Sequence, residues 1–208
     1  MILTTDRLVL RPFRFSDAAA IIAYATAPDF IRFLPIPLAN PERAADFVAQ
    51  RVREGQPDGL GDWHFVVQCR GGGAPVGAVR LGLRDEENRQ GDVGYVLHPA
   101  ARGQGLATEA VRGLLDFGFR LLDLERIWAS ADVDNRASWR VMERVGMRRE
   151  GVSRHTMRVD GVWRDSVLYA VLAGDAAARA LPKVGRLADG AAEDRGAEEE
   201  ESSVRIVG

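Results

Sequence analysis

"HPAARGQGLATEA", residues 98–110, joins a proline, two glycines one residue apart and a run of helix formers. A helix that opens this way leaves its first amides without partners inside the helix and without covering side chains. The helix dipole adds partial positive charge at the same place, so the stretch is a ready seat for phosphate. Upstream, "GDVGYVLHP" (91–99) reads as a strand that Pro99 ends. Downstream, Ala107, Ala110, Val111, Leu114, Leu115, Gly118 and Leu122 keep the 3–4 spacing of a buried helical stripe. "RIWASADV" (126–133) is the next strand. Strand, helix and strand in succession predict a parallel pair with a right-handed crossover.

The rest of the chain falls into place around this unit. "RLVLRPF" (7–13) alternates as a strand does, and Ser16 and Asp17 offer caps for a helix to about Ala25. Pro28, Pro35 and Pro37 keep the next stretch irregular, before Asn40-Pro41 caps a helix that stops at Gly55. "DWHFVVQC" (62–69) and "APVGAVRLGL" (74–83) are strands joined by glycines, and "DEENRQ" (85–90) is a polar loop. "NRASWRVMERVG" (135–146) is a helix capped by Asn135. "MRREGVSRHTMR" (147–158) and "VWRDSVLYAVL" (162–172) form a hairpin about Asp160-Gly161. Residues 174–208 hold no aromatic residue and carry eight acids against five bases. They are expected to form a mostly disordered acidic tail, with one helical turn at "DAAARA", beyond a domain of residues 1–173.

A length of 208 residues suits one domain with a tail, and 46% hydrophobic with 28% charged residues is an ordinary soluble composition. A net charge of −2 gives no basic field for nucleic acid. No apolar run approaches a bilayer span, and the start is not a signal peptide, so neither membrane nor export is expected. The one cysteine, Cys69, forms no internal disulfide and lies in a strand as core, which fits a reducing cytoplasm. Lys183 is the only lysine, so no earlier lysine can act as base or phosphate clamp.

Three phosphate-binding designs meet the glycine turn. A nucleotide-hydrolase loop needs Gly-Lys-Ser/Thr, and the turn instead runs on to Leu106 and Ala107. A dinucleotide fingerprint needs a third glycine where Thr108 stands, although Asp132 or Asp134 would serve as its acid. The pyrophosphate turn of acyl-CoA transferases, Gln/Arg-x-x-Gly-x-Gly/Ala, is met at Arg102, Gly105 and Ala107.

Taken with "TTDRLVLRPFRFSDA" (4–18), "DVGYVLHPAARGQGLATEAV" (92–111) and "NRASWRVMERVGM" (135–147), the chain resembles the GNAT superfamily of N-acetyltransferases in its RimJ/RimL-like branch, over about residues 2–172. The resemblance implies an α+β fold: a mixed, mostly antiparallel sheet with a splayed central parallel pair and helices on both faces. It implies acetyl transfer from acetyl-CoA, without a metal, to a primary amine. That amine is a protein N-terminal α-amine, with a small-molecule amine (polyamine, aminoglycoside or amino acid) or a different acyl group as the alternative. It further implies that amides of Gly103, Gln104, Gly105, Leu106, Ala107 and Thr108, beside Arg102, hold the pyrophosphate. Backbone near Val96 and Leu97 would position the pantetheine arm, Asn135 would touch that arm, and Ser138 would lie near the sulfur as candidate general acid. Asp92 occupies a position where relatives carry an acid beside the acceptor groove and is the first candidate base, ahead of His155 and Asp165. Glu109 is assigned to the helix end, and Tyr95 and Trp139 to core or pocket wall. The loop at 28–41 and the hairpin near 160 would line the acceptor groove. A homodimer is compatible with this reading. Two competing readings are a nucleotide-binding oxidoreductase domain, resting on the glycine turn alone, and a non-catalytic CoA-binding or protein-interaction module that keeps the fold.

Overall fold

The computed structural model describes residues 1–25, 32–33, 40–55 and 61–187. Alternation sorts the side chains of strand β5 (Gln90–Leu97) onto two faces. Val93, Tyr95 and Leu97 enter the main core, and Val96 packs into a second one. A sheet with apolar residues on both faces needs cover on both. On one side lies α3 (Leu106–Leu121), whose Ala110, Val111, Leu114, Leu115 and Phe117 are buried. Phe117 meets Trp63 and Phe65 edge-on, each at 6.0 Å between ring centres. Gly118 lets this helix come close, since a Cβ there would lie 2.6 Å from Ile127. On the other side α1 (Ala18–Ala25) and α2 (Pro41–Glu54) cover Val66 and Phe13 with Ile21, Ala25, Ala44 and Val48. Asn40 caps α2 by accepting from the Glu42 amide at 2.7 Å.

Among the described residues nine strands form one sheet in the order β7-β8-β6-β5-β4-β3-β2-β1-β9. They are β1 (Ile2–Thr4), β2 (Leu8–Arg11), β3 (Gly61–Cys69), β4 (Gly77–Asp85), β5, β6 (Arg126–Asp132), β7 (Arg148–Val159), β8 (Val162–Leu172) and β9 (Gly185–Leu187). Helix α4 (Arg136–Arg144) follows β6. Every pairing is antiparallel except β5 with β6, the pair expected from the strand–helix–strand order. That pair holds only through Gln90–Arg126, Gly91–Ile127 and Asp92–Trp128. Beyond it β5 stays with β4 as far as Leu97–Gly77, while β6 follows β8 as far as Asp132–Ser166. The sheet therefore opens into a wedge between residues 93–97 and 129–132. The α+β class, with helices on both faces and a splayed parallel pair, is the architecture expected. No helix among the described residues is long and apolar enough to cross a membrane.

The domain boundary expected at 173 is corrected by the fold. Residues 176–179 form the short helix α5 at the expected "DAAARA", but the chain then returns to the body. Ala178 and Leu181 are each 7% exposed within the main core. The Leu181 carbonyl accepts from Arg120 at 3.2 Å, and the Val184 amide donates to Asp116 at 3.0 Å. β9 then pairs antiparallel with β1. Ala178, Leu181 and Val184, three apart, give this segment the apolar stripe it needs, and the open edge of β1 supplies hydrogen bonds. Residues 188–208, with the remaining acids, lie outside the described residues.

A chain ending at Ala173 therefore loses a buried leucine and an edge strand. It should melt roughly 5–15 °C below a chain ending at Leu187. Coincident thermal melts of the two truncations would contradict the role given to residues 174–187.

Candidate functional site

The site forms where β5 ends. After Leu97 the chain makes one 3₁₀ turn (Pro99–Ala101), and Arg102 reaches back to donate to the Leu97 carbonyl at 3.2 Å. Gly103 and Gly105 then take φ of 77° and 78°, the left-handed region that glycine enters without strain. Gly105 is the N-cap of α3 and provides no side-chain cap bond. The Glu109 amide bonds back to the Gly105 carbonyl at 3.0 Å, so Leu106, Ala107 and Thr108 stand in the first turn, where amides lack intrahelical acceptors. The side chains of Leu106 and Thr108 are buried, so both serve packing, and these residues can offer a ligand only backbone. Gln104 folds onto its own turn, donating to the Ala100 carbonyl at 3.0 Å.

Glu109 fastens this turn to the β1–β2 corner. It accepts from Thr5 Oγ at 2.6 Å, the Arg7 amide at 2.8 Å and Arg7 Nε at 2.6 Å. Burial acts to raise its pKa, but the bonds from Thr5 and Arg7 and the Arg7 charge outweigh that and hold it below the usual carboxylate range. A groove of about 660 Å³ opens here, lined among others by Gly105, Arg7, Arg70, Arg112, Arg144 and Lys183. Among the described residues of its lining, Asp6 and Glu109 are the acids, against those five cations. The chain's one lysine thus reaches the glycine turn through the segment read from sequence as tail.

Across the wedge stands α4. Asn135 caps it through its side-chain oxygen, which accepts from the Ser138 amide at 3.2 Å. One turn into the helix, Ser138 Oγ lies 2.8 Å from the Tyr95 hydroxyl, and the Ser138 carbonyl oxygen lies at the same distance from it as a second acceptor in reach. Tyr95 comes from β5, three residues past the last β5–β6 pair, so its side chain bridges the wedge. Burial raises its pKa to about 12 against the opposing effect of the Ser138 bond, and the phenol keeps its proton. Trp139 closes the end of β6, donating from Nε1 to the Asp132 carbonyl at 3.2 Å.

Asp92 is not the open carboxylate expected of a base. It is 7% exposed, at the apex where β5 and β6 part. Arg84 Nε meets one oxygen at 2.5 Å, and Arg80 holds both oxygens through its two terminal nitrogens. Arg80 and Arg84 also bind Asp62, at 3.1 and 2.6 Å. Lone pairs committed to two guanidiniums are poorly placed to take a proton. The other candidates lie on the β7–β8 hairpin. His155 has a φ of 53° at an irregularity in the ladder; its ring stacks on Trp163 and its amide donates to Asp165 at 2.9 Å. Prolines 28, 35 and 37 of the expected acceptor loop lie outside the described residues, and Cys69 lies in a strand as expected but is half-buried against the core, at the end of β3, rather than inside it. Sequence reasoning missed the bridging role of Tyr95 and the groove position of Lys183. Strand alternation and the isolation of that lysine were the only signals for them.

Comparison with known proteins places this geometry. The model of the acetyltransferase (GNAT) domain matches residues 7–148. The uncharacterized N-acetyltransferase YnaD of Bacillus subtilis (strain 168) is 30% identical over 83% of this chain and 97% of its own length. The spermidine N(1)-acetyltransferase of Escherichia coli (strain K12) is 29% identical over 51% of this chain and 56% of its own. Among solved structures, Mycobacterium smegmatis RimJ in complex with a CoA disulfide superposes with a TM-score of 0.69 at 27% identity, covering 86% of this chain and 90% of that one.

The charge network beside the wedge carries a pH signature. His64, opposite Arg80 in the β3–β4 ladder, lies 3.6 Å from Asp62. Burial first, then the charge of Arg51, pushes its pKa down to about 4. Unfolding returns it to about 6.5, so between these values the unfolded chain binds the extra proton. The contribution is whole above 6.5 and lost as pH falls to 4. From pH 7 to pH 5 it should cost about 2 kcal/mol. Denaturant titrations should show a smaller loss over that interval in His64→Gln; equal losses would contradict the assignment.

Proposed function

This chain belongs to the GNAT acetyltransferase family and is an acyl-CoA-dependent N-acetyltransferase, and from that premise we propose that it acetylates the α-amine of a protein or peptide N-terminus. The observation that carries the reading is the wedge: a sheet opened at β5–β6, a bare helix N-terminus at one end of it and Ser138 on its far wall. The pyrophosphate of acetyl-CoA sits on the amides of residues 103–108, where the helix end and the glycines favour an anion. Arg102 supports that turn through the Leu97 carbonyl, and the cationic groove with Arg7, Arg112, Arg144 and Lys183 suits the phosphate-bearing end of the donor. The pantetheine arm lies in the wedge against β5 at Val96 and Leu97. The Asn135 oxygen is spent on its cap, which leaves the amide nitrogen for the arm.

In the reaction the amine nitrogen bonds to the acetyl carbon, the carbon–sulfur bond breaks, and the amine's proton passes to the leaving thiolate or to solvent. Ser138 directs its hydroxyl at the sulfur as negative charge collects there. A thiol pKa near 8.5 makes that help modest. An α-amine has a pKa of about 7.7–8.0, so an appreciable fraction is already neutral at pH 7 and needs no strong base. A site whose apical carboxylate is locked by Arg80 and Arg84 suits such an acceptor better than a lysine-type amine near 10.4. The likeness to a spermidine acetyltransferase supports a second reading, a polyamine acceptor.

Release of free thiol from acetyl-CoA tests the proposal, with a free-N-terminus peptide, the same peptide N-terminally blocked, and spermidine as arms. Turnover with the free peptide alone is expected. Turnover with spermidine alone moves the acceptor to polyamines, and no turnover above background with any amine overturns the proposed acceptors. Gly105→Asp, which accepts the left-handed backbone but sets a carboxylate at the phosphate seat, should weaken CoA binding by about 10²-fold or more. Gly105→Asn, of the same shape without charge, should lose far less. Equal losses by calorimetry would show that the turn is structural.

A further inference from the structure

Tyr95 has an unusual position for a strand residue. It lies in the part of β5 that has left β6, so nothing in the sheet opposes it on that side. Its ring packs against the main core, and its hydroxyl crosses to α4, with Ser138 Oγ and the Ser138 carbonyl oxygen each 2.8 Å away. Ser138 is thereby held from two directions: its amide on the Asn135 side chain, its carbonyl and hydroxyl on Tyr95. The two hydroxyls share these contacts in two ways. If Tyr95 donates to the carbonyl, the serine hydrogen turns to the phenol oxygen and faces away from any ligand. If Tyr95 donates to Oγ, the serine hydrogen is left over for a third atom in the wedge, and the serine O–H is polarised by the bond it accepts.

We propose that Tyr95 is the positioning residue for Ser138: by donating to Oγ it aims the serine hydrogen at the leaving sulfur of the acyl donor. The proposal rests on the role given above to Ser138. No proton leaves Tyr95. The phenol keeps its hydrogen, the serine gives a hydrogen bond to the sulfur as the carbon–sulfur bond breaks, and the thiolate takes its proton from solvent or from the attacking amine. A group that acts only on charge developing at the sulfur lowers the barrier without tightening donor binding.

The test is a double-mutant cycle on the full chain with an accepted amine. Tyr95→Phe keeps the ring and removes only the hydroxyl. It should lower kcat about tenfold, the order expected for one lost neutral hydrogen bond. KM for acetyl-CoA and CoA affinity by calorimetry should stay within about twofold. Ser138→Ala should lower kcat at least as much, and the double variant should be no slower than Ser138→Ala, because Tyr95 has nothing left to aim. An unchanged kcat in Tyr95→Phe, losses that multiply in the double variant, or a loss that falls in CoA affinity would each overturn the positioning role while leaving Ser138 in place. An unchanged kcat in Ser138→Ala would overturn the reading of Ser138, and the inference with it.

Discussion

The parallel pairing of β5 with β6 stops after three residue pairs, and the rest of the molecule is arranged around that stop. Unpaired backbone groups inside a protein carry a cost, so two strands that part need other partners. Each has one on its outer side: β4 accompanies β5 to its end, and β8 accompanies β6 to its end. The inner edges are left facing each other across a gap. A gap of that kind suits an extended polar chain with hydrogen-bonding groups along its length, which is the chemistry of a pantetheine arm. The crossover helix α3 leaves the open end of β5, so its N-terminus and dipole come to the gap through the topology.

Electrostatics divide the site into ends of different character. At the closed end two arginines and two aspartates neutralise one another beside the last β5–β6 pair. That cluster holds the strands where they part, and its carboxylates are not free to work as bases. At the open end the glycine turn and the groove beside it carry an excess of cations. The chemistry asked of the enzyme is small in comparison. In the proposed reaction a thioester attacked by a partly neutral amine needs alignment more than acid–base power, and a serine held by Asn135 and Tyr95 would answer that need.

The tail segment shows how little apolar surface can anchor a strand when the acceptor is already built. Residues 174–187 hold no aromatic residue, yet Ala178 and Leu181 enter a core that the rest of the domain has formed, and Asp116 and Arg120 of α3 wait with hydrogen bonds. In returning, the segment brings Lys183 to the groove beside Gly105. Stability and the glycine-turn end of the site are coupled through one short stretch of chain.

What the sequence determined by itself was local: the 2-residue and 3.6-residue periods of the strands and helices, the bare turn at Gly103 and Gly105, the Asn135 cap, the Asp160-Gly161 hairpin and, through element order, the central parallel pair. Each depends on neighbours a few residues apart, so its signal is complete in a short window. Tertiary structure alone decided the rest. The Tyr95–Ser138 contact spans 43 positions. The pairing of Asp92 with Arg80 and Arg84 depends on how β4 and β5 align, and a lone acid in a strand reads the same whether open or paired. The return of β9 to β1 joins the two ends of the described chain, 183 positions apart at the pair Leu3–Arg186. Such contacts are set by packing and register between distant segments, and no local pattern of residues encodes them.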